Sequence, residues 1–242
     1  GDEHLVGIVE VDTEHHYIVD VFRVRGGETH DWMLHGCLQL PYTFETDVAL
    51  SDRPGSMHKF IDQLQAGPLG EVNSFSFVYE DGKRSRHWLL MPEASELWAG
   101  RGPAMRRMGY NPFAFVRHQG AESLFVAVHE FFSGESALAG VEPLQMIAAD
   151  PMDSGVQINL ADGRSDLFVS CFDPQAEAAT MAVGAGVPLK LRGGAVHVRL
   201  GADGGVERLF GAGADEPAAA DITPAEITSW HSGIVTQVLR KE

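Results

Sequence analysis

Val, Ile and Phe alternate with polar residues along most of this chain, and turn residues break the alternation at short intervals. A period of two is the pattern of strands with one buried face. It predicts strands at Leu5–Val11, Tyr17–Arg25, Glu28–Leu38, Val72–Tyr79, Ser85–Met91, Phe113–His118 and Ser123–Phe132. It predicts six more at Leu144–Ala148, Gly155–Leu160, Asp166–Phe172, Ala195–Leu200, Val206–Phe210 and Ile227–Leu239. Gly26-Gly27, Asp81-Gly82, Gln119-Gly120, Asp162-Gly163, Gly193-Gly194 and Gly204-Gly205 fall between them, and such pairs tolerate the positive φ of tight turns. One segment departs from the pattern. Met57, Phe60, Ile61 and Leu64 recur at helical spacing and predict a short helix over Ser56–Ala66. Gly211–Pro224, rich in Gly and Ala, reads as a loop. The fold expected is all-β: a two-layer antiparallel β-sandwich with at most one short helix. It occupies residues 1–210, followed by a loop over 211–224 and a closing strand in 225–242.

Composition narrows the class. With 242 residues, 44% hydrophobic and 21% charged, the chain has the make-up of a globular protein. No apolar run approaches the roughly 20 residues of a membrane-spanning helix. There are 34 Asp and Glu against 18 Lys and Arg, a formal net charge of -16. That field disfavours nucleic acid and anionic membrane surfaces as partners, and a polyanionic substrate would need local basic residues. Cys37 and Cys171 make no disulfide framework and read as two thiols. The chain begins Gly1-Asp2-Glu3, without Met or signal peptide, as expected of a processed or excised product.

The most informative stretch is Tyr17–Gly36. A two-residue turn at Gly26-Gly27 would set Arg25 opposite Glu28, an opposite-charge pair. Arg23 would then face His30, and Val21 would face Trp32. The other face would gather Asp20, Asp31 and His35, a polar cluster that either orients an imidazole for chemistry or satisfies itself in the core. His129-Glu130 ends a later strand, and the two residues point to opposite faces. The densest basic stretch includes Lys83, Arg84, Arg86, Arg101, Arg106 and Arg107. Its guanidinium groups suit carboxylates or sulfates, or they simply form a solvated loop. Trp88 and Trp98 suit either sugar stacking or core packing, and Trp230 and His231 share that ambiguity. No G-x-S-x-G elbow, P-loop or H-E-x-x-H motif is present.

Three stretches, His16–Gly36, Ser85–Pro103 and Asn111–Gly134, resemble in order the β-sandwich half of heparinase II/III-like proteins and cover about half the chain. That family includes polysaccharide lyases acting on uronic-acid polymers. The resemblance implies an α/α toroid N-terminal to an antiparallel sandwich, with the substrate cleft between them. It implies β-elimination, in which the uronate is neutralised, its C5 proton is abstracted, and a Tyr or His protonates the leaving oxygen. In the family the Asn-His and Tyr of this chemistry lie on the toroid, and a His-x-His metal motif of some members lies upstream of the stretches matched here.

This chain shows neither the long amphipathic helices of a toroid nor a His-x-His, its one adjacent pair being His15-His16. The family's acid–base residues therefore map to no position here. The expectation is a non-catalytic sandwich half, silent alone and partnered by a toroid. It would contact an acidic polysaccharide through Arg86, Arg101, Arg106 and Arg107, in the periplasm or outside the cell. No metal site and no cofactor are expected within the chain, zinc belonging to the intact enzyme of the family. Two alternatives stand beside this: a separate carbohydrate-binding or structural module, and an active lyase whose base is His35 or His129.

Overall fold

The computed structural model of the chain describes residues 1–55, 60–104, 109–173, 179–191, 194–212, 218–219 and 230–232. Among these residues the fold is all-β, built of mainly antiparallel sheets without a helix. It divides into two compact units, Gly1–Ser136 and a second that begins at Ala137. A single sandwich over residues 1–210 is thus replaced by two layered units, because the buried residues on either side of Ser136 group into separate cores.

The first unit contains β1 (Asp2–Glu10), β2 (His16–Arg25), β3 (Thr29–His35), β4 (Tyr42–Thr46), β5 (Ser51–Asp52) and β6 (Asp62–Pro68). It continues with β7 (Asn73–Tyr79), β8 (Lys83–Leu90), β9 (Glu96–Pro103), β10 (Tyr110–Gln119) and β11 (Glu122–Ser133). One sheet has the order β1-β2-β11-β8-β7-β4, the other β3-β10-β9-β6-β5. Phe75, Phe77, Leu89, Phe125 and Ala127 from the first sheet form one core with Trp32, Leu97, Ala114 and Val116 from the second. Alternation makes this inevitable, since every second side chain of each strand turns to the facing layer. Each fully buried Phe of this core contributes roughly 1.5–3 kcal/mol.

Strands β2 and β3 do not form the expected hairpin. β2 pairs with β1 and β11, whereas β3 pairs with β10 in the opposite sheet. At Gly26 and Gly27, both with positive φ, the chain crosses from one layer to the other. A second crossing at Gln119–Ala121 lies alongside it: Gly26 N–H donates to the Ala121 carbonyl and Gly120 N–H to the Glu28 carbonyl. The opposite charge for Arg25 is therefore Glu122, its cross-strand neighbour, at 3.0 Å. The cluster of Asp20 with Asp31 and His35 is not formed, because Asp20 lies in the β2 sheet while the other two lie in the β3 sheet.

The helix over Ser56–Ala66 is corrected in its described part. Residues 56–59 lie outside the described residues, and β6 begins at Asp62. A bulge shifts the β6–β9 register between Asp62 and Gln65, with Gln63 at φ 52. The bulge turns both Ile61 and Leu64 into one apolar cluster with Phe115. A three-residue apolar spacing thus arises from an irregular strand.

The second unit contains β12 (Leu138–Pro143), β13 (Gln145–Ile147), β14 (Ser154–Leu160), β15 (Ser165–Ser170) and β16 (Thr180–Gly184). After these come β17 (Val187–Leu191), β18 (Ala195–Leu200), β19 (Val206–Ala212), β20 (Ala218–Ala219) and β21 (Trp230–Ser232). Its sheets run β12-β14-β15-β18-β19-β21 and β13-β16-β17-β20. Leu167, Val169, Val196, Val198 and Leu209 pack with Ala182, Leu189 and Leu191. The expected closing strand is reduced in the described residues to β21, which joins β19 in parallel. Within the expected 211–224 loop, Gly211 and Ala212 complete β19 and Ala218–Ala219 form β20; the rest of that loop lies outside the described residues. Cys37 is exposed, Cys171 is buried, and both are free thiols.

Candidate functional site

Strand β10 pairs with β3 on one side and β9 on the other, so the end of β3, the end of β9 and the start of β10 meet. His35 lies opposite Phe113, and Gly102 opposite Asn111. Together with Leu38, Tyr42, Phe60, Ile61, Pro103 and Pro112 these residues enclose a cleft of about 270 Å³. The walls are mainly apolar, and Phe60 is 61% exposed. Such an opening of rings with few polar atoms is the usual form of a small-molecule or sugar subsite.

The polar atoms of the cleft are held in fixed roles. His35 Nδ1 lies 2.8 Å from the Gly36 carbonyl oxygen, which only accepts, so Nδ1–H donates. That tautomer leaves Nε2 as an acceptor. The imidazole also stacks on Phe113, with ring centroids 6.3 Å apart. The Tyr42 hydroxyl donates to the Pro112 carbonyl at 2.9 Å and accepts the Gly36 N–H at 3.0 Å. Burial pushes this phenol up to about 12, so it stays protonated. Asn111 Nδ2 donates to the Leu40 carbonyl at 3.1 Å, fastening the loop beyond His35. Gly36 admits no side chain, since a Cβ there would meet the rings of Tyr42 and Tyr79 at 2.8 Å.

Arg101 precedes the lining residue Gly102, and Tyr110 precedes the lining residue Asn111. The Arg101 guanidinium lies 5.6 Å from the Tyr110 ring centroid and pairs with Asp62, at 3.2 and 3.4 Å. This pair is exposed, and exposed pairs contribute about 0–1 kcal/mol. A ligand carboxylate can replace Asp62 at small cost, and the fork geometry of the guanidinium suits that exchange.

The other basic residues are not brought to this cleft. Arg86 lies on β8, in the other sheet, over Trp88 and Phe132 at 5.6 and 5.4 Å. Lys83 pairs with Asp81, and Arg84 with Glu45. Arg106 and Arg107 lie outside the described residues. Asp31 is engaged by Arg117 in two bonds of 2.7 Å. Trp98 packs on Phe115 between Arg53 and Arg117. Trp230 and His231 lie on the strand that pairs with β19, and their side chains lie outside the described part of the structure.

His129 is 6% exposed, with Trp32 stacked against it at 5.9 Å. Both ring nitrogens are engaged: Nδ1 lies 2.7 Å from His87 Nδ1, and Nε2 lies 3.5 Å from Asp20 Oδ2. It offers no nitrogen to a substrate, whereas His35 does. Glu130, on the opposite face, accepts a bond from Ser136. The partners of Asp20 are thus His129 and His4, at 2.6 Å from the latter. His4 and His87 were missed as parts of a network, since only the sheet order brings β1, β2, β11 and β8 side by side. Tyr42 and Phe60 were missed for the same reason, coming from loops and short strands without alternation. Among the described residues no group of three or more His, Cys, Asp or Glu could hold a metal ion. No protein-family model and no curated protein sequence matches the chain.

Proposed function

We propose that this chain is the non-catalytic β-sandwich half of a heparinase II/III-like polysaccharide lyase, forming one wall of the cleft for a uronic-acid polysaccharide. The observation that carries the reading is the cleft at the ends of β3, β9 and β10. It combines exposed rings for a sugar face and an oriented acceptor at His35 Nε2, with Arg101 next in sequence to the lining residue Gly102 in an otherwise acidic protein. Rings give sugars an apolar face, and the guanidinium gives a uronate its counter-charge. The proposed partner is a toroid domain carrying the acid–base residues, at a periplasmic or extracellular site. A stand-alone carbohydrate-binding module is the second reading, favoured by the lack of a free proton donor among the described lining residues of the cleft, and would need no such partner.

Titration of the chain with heparan sulfate, heparin, alginate, ulvan and hyaluronan tests the cleft. At least one polymer should bind, and H35A and F60A should each weaken it roughly tenfold, the effect of losing one good contact. Absence of binding to any of the five, or binding indifferent to both substitutions, would reject the cleft as a glycan site. A neutral glycan bound in preference to every acidic one would favour the module reading.

A further inference from the structure

Four hydrogen-bonded steps cross the interior of the first unit. Ser85 Oγ lies 3.2 Å from His87 Nε2, and His87 Nδ1 lies 2.7 Å from His129 Nδ1. His129 Nε2 lies 3.5 Å from Asp20 Oδ2, and Asp20 Oδ1 lies 2.6 Å from His4 Nε2. Ser85 and His87 are each 2% exposed, while the His4 side chain is 40% exposed. The chain therefore begins in the core and ends at solvent.

The chemistry of the partners fixes the protons. Asp20 accepts, so His129 Nε2–H and His4 Nε2–H both donate to it. Neutral His129 then has a lone pair on Nδ1, which accepts from His87 Nδ1–H, and His87 Nε2 accepts the Ser85 hydroxyl. One added proton can be absorbed by reversing this order. His129 becomes an imidazolium beside Asp20 and donates through Nδ1, while His87 accepts at Nδ1 and donates through Nε2–H to Ser85 Oγ. A second added proton sets two N–H groups against each other across 2.7 Å, with both rings cationic. No arrangement of the chain satisfies that state.

The surroundings offer no relief. Phe75 and Phe77 lie against His87, with centroids 4.8 and 5.6 Å away, and Trp32 of β3 lies against His129. Within the apolar cluster beside the two rings Tyr42 and Tyr79 are the members that titrate, and they add no negative charge in acid. From the facing sheet Leu97, Ala114 and Val116 are apolar. Asp20 on β2 and His4 on β1 are the charged groups on the chain itself.

We propose that Ser85, His87, His129, Asp20 and His4 form a pH-sensitive latch in the core of the first unit, which holds one added proton and opens when a second arrives. Burial, and a charge on His129, push the His87 imidazole well below the ordinary histidine value. The unfolded chain therefore takes up the His87 proton at a higher pH than the folded one. Stability is full above the ordinary histidine range and falls as pH drops beneath it. The hydrogen bond to Asp20 raises His4, which works in the opposite sense. Its contribution is complete in mild acid and is lost as pH rises through its folded value.

Urea unfolding of the full chain from pH 8 to pH 5 tests the latch, with H87F as reference. Below about pH 6.5 the unfolding equilibrium constant of the parent should rise about tenfold per pH unit more steeply than that of H87F, the slope of one linked proton. Parallel curves would overturn the proposal. If H87F fails to fold, ring-nitrogen NMR of the parent decides. His87 should remain neutral at pH 6, as one ring tautomer or the other, while exposed histidines titrate, and a His87 that titrates with them would refute the latch.

Discussion

At the residue scale, surroundings decide what each titratable group can do. His35 is exposed, held by one backbone carbonyl and one ring, and keeps a free acceptor. Its removal should change folding stability by no more than about 0.5 kcal/mol, while weakening glycan binding; urea denaturation beside the titration separates the two effects. Asp166 in the second unit is the opposite case. Burial alone would raise its carboxyl, yet two bonds from Arg199, at 2.8 and 2.7 Å, and His197 at 3.3 Å hold it well below the usual carboxylate range. Both Asp166 and Arg199 are buried, and removing one partner of such a pair costs about 3–5 kcal/mol. R199M should therefore destabilise the chain far more than R101A, which breaks an exposed pair. Because the Asp166 value is depressed, the benefit is present above the unfolded carboxylate range and is lost as pH falls through the folded value. In R199M burial is no longer opposed by the guanidinium and raises the Asp166 carboxyl, which then takes up a proton in mild acid. Thermal denaturation of R199M should therefore show a smaller deficit at pH 4 than at pH 7, and an equal deficit at both would contradict this account.

At the scale of elements, the paired crossings at Gly26-Gly27 and Gln119–Ala121 determine which strands meet. They place β2 beside β11 and β3 beside β10, and exchange Glu28 for Glu122 as the partner of Arg25. A double-mutant cycle should give Arg25 and Glu122 a coupling of about 0.2–1 kcal/mol, and a smaller one for Arg25 and Glu28. The reverse ranking would restore the hairpin register. Strand existence was legible in the alternation: Tyr17–Arg25 and Ser123–Phe132 fall within observed strands, and Val72–Tyr79 overruns β7 by one residue. Pairing was not, because Gly-Gly with a charge pair specifies a sharp bend equally well within one sheet or between two. Short strands such as Tyr42–Thr46, and the bulged β6, carry too few alternating positions to register. His35 and Arg101 could be named from the sequence as candidates. The nearness of His35 to Tyr42 and Phe60 depends on where strand ends converge, and local pattern holds no information about that.

At the scale of the whole molecule, a net charge of -16 resists a polyanion. On the proposed function, binding would depend on local exchange of Asp62 for a ligand carboxylate at Arg101. β-Elimination asks for more than binding: a base for the C5 proton, a counter-charge for the uronate, and an acid for the leaving oxygen. His35 Nε2 has the lone pair of a base, and Arg101 has the counter-charge. The acid is missing among the described lining residues, because the Tyr42 proton is already donated to Pro112 and its phenol is pushed up to about 12. His129 cannot substitute, being buried with both nitrogens bonded. The chain alone should therefore form no unsaturated uronate from any of the five polymers, followed by absorbance with protein shown to be folded. Product abolished by H35A would place the base in this cleft and require a proton donor beyond the described lining residues to complete the set. Product indifferent to H35A would move the chemistry away from the cleft altogether.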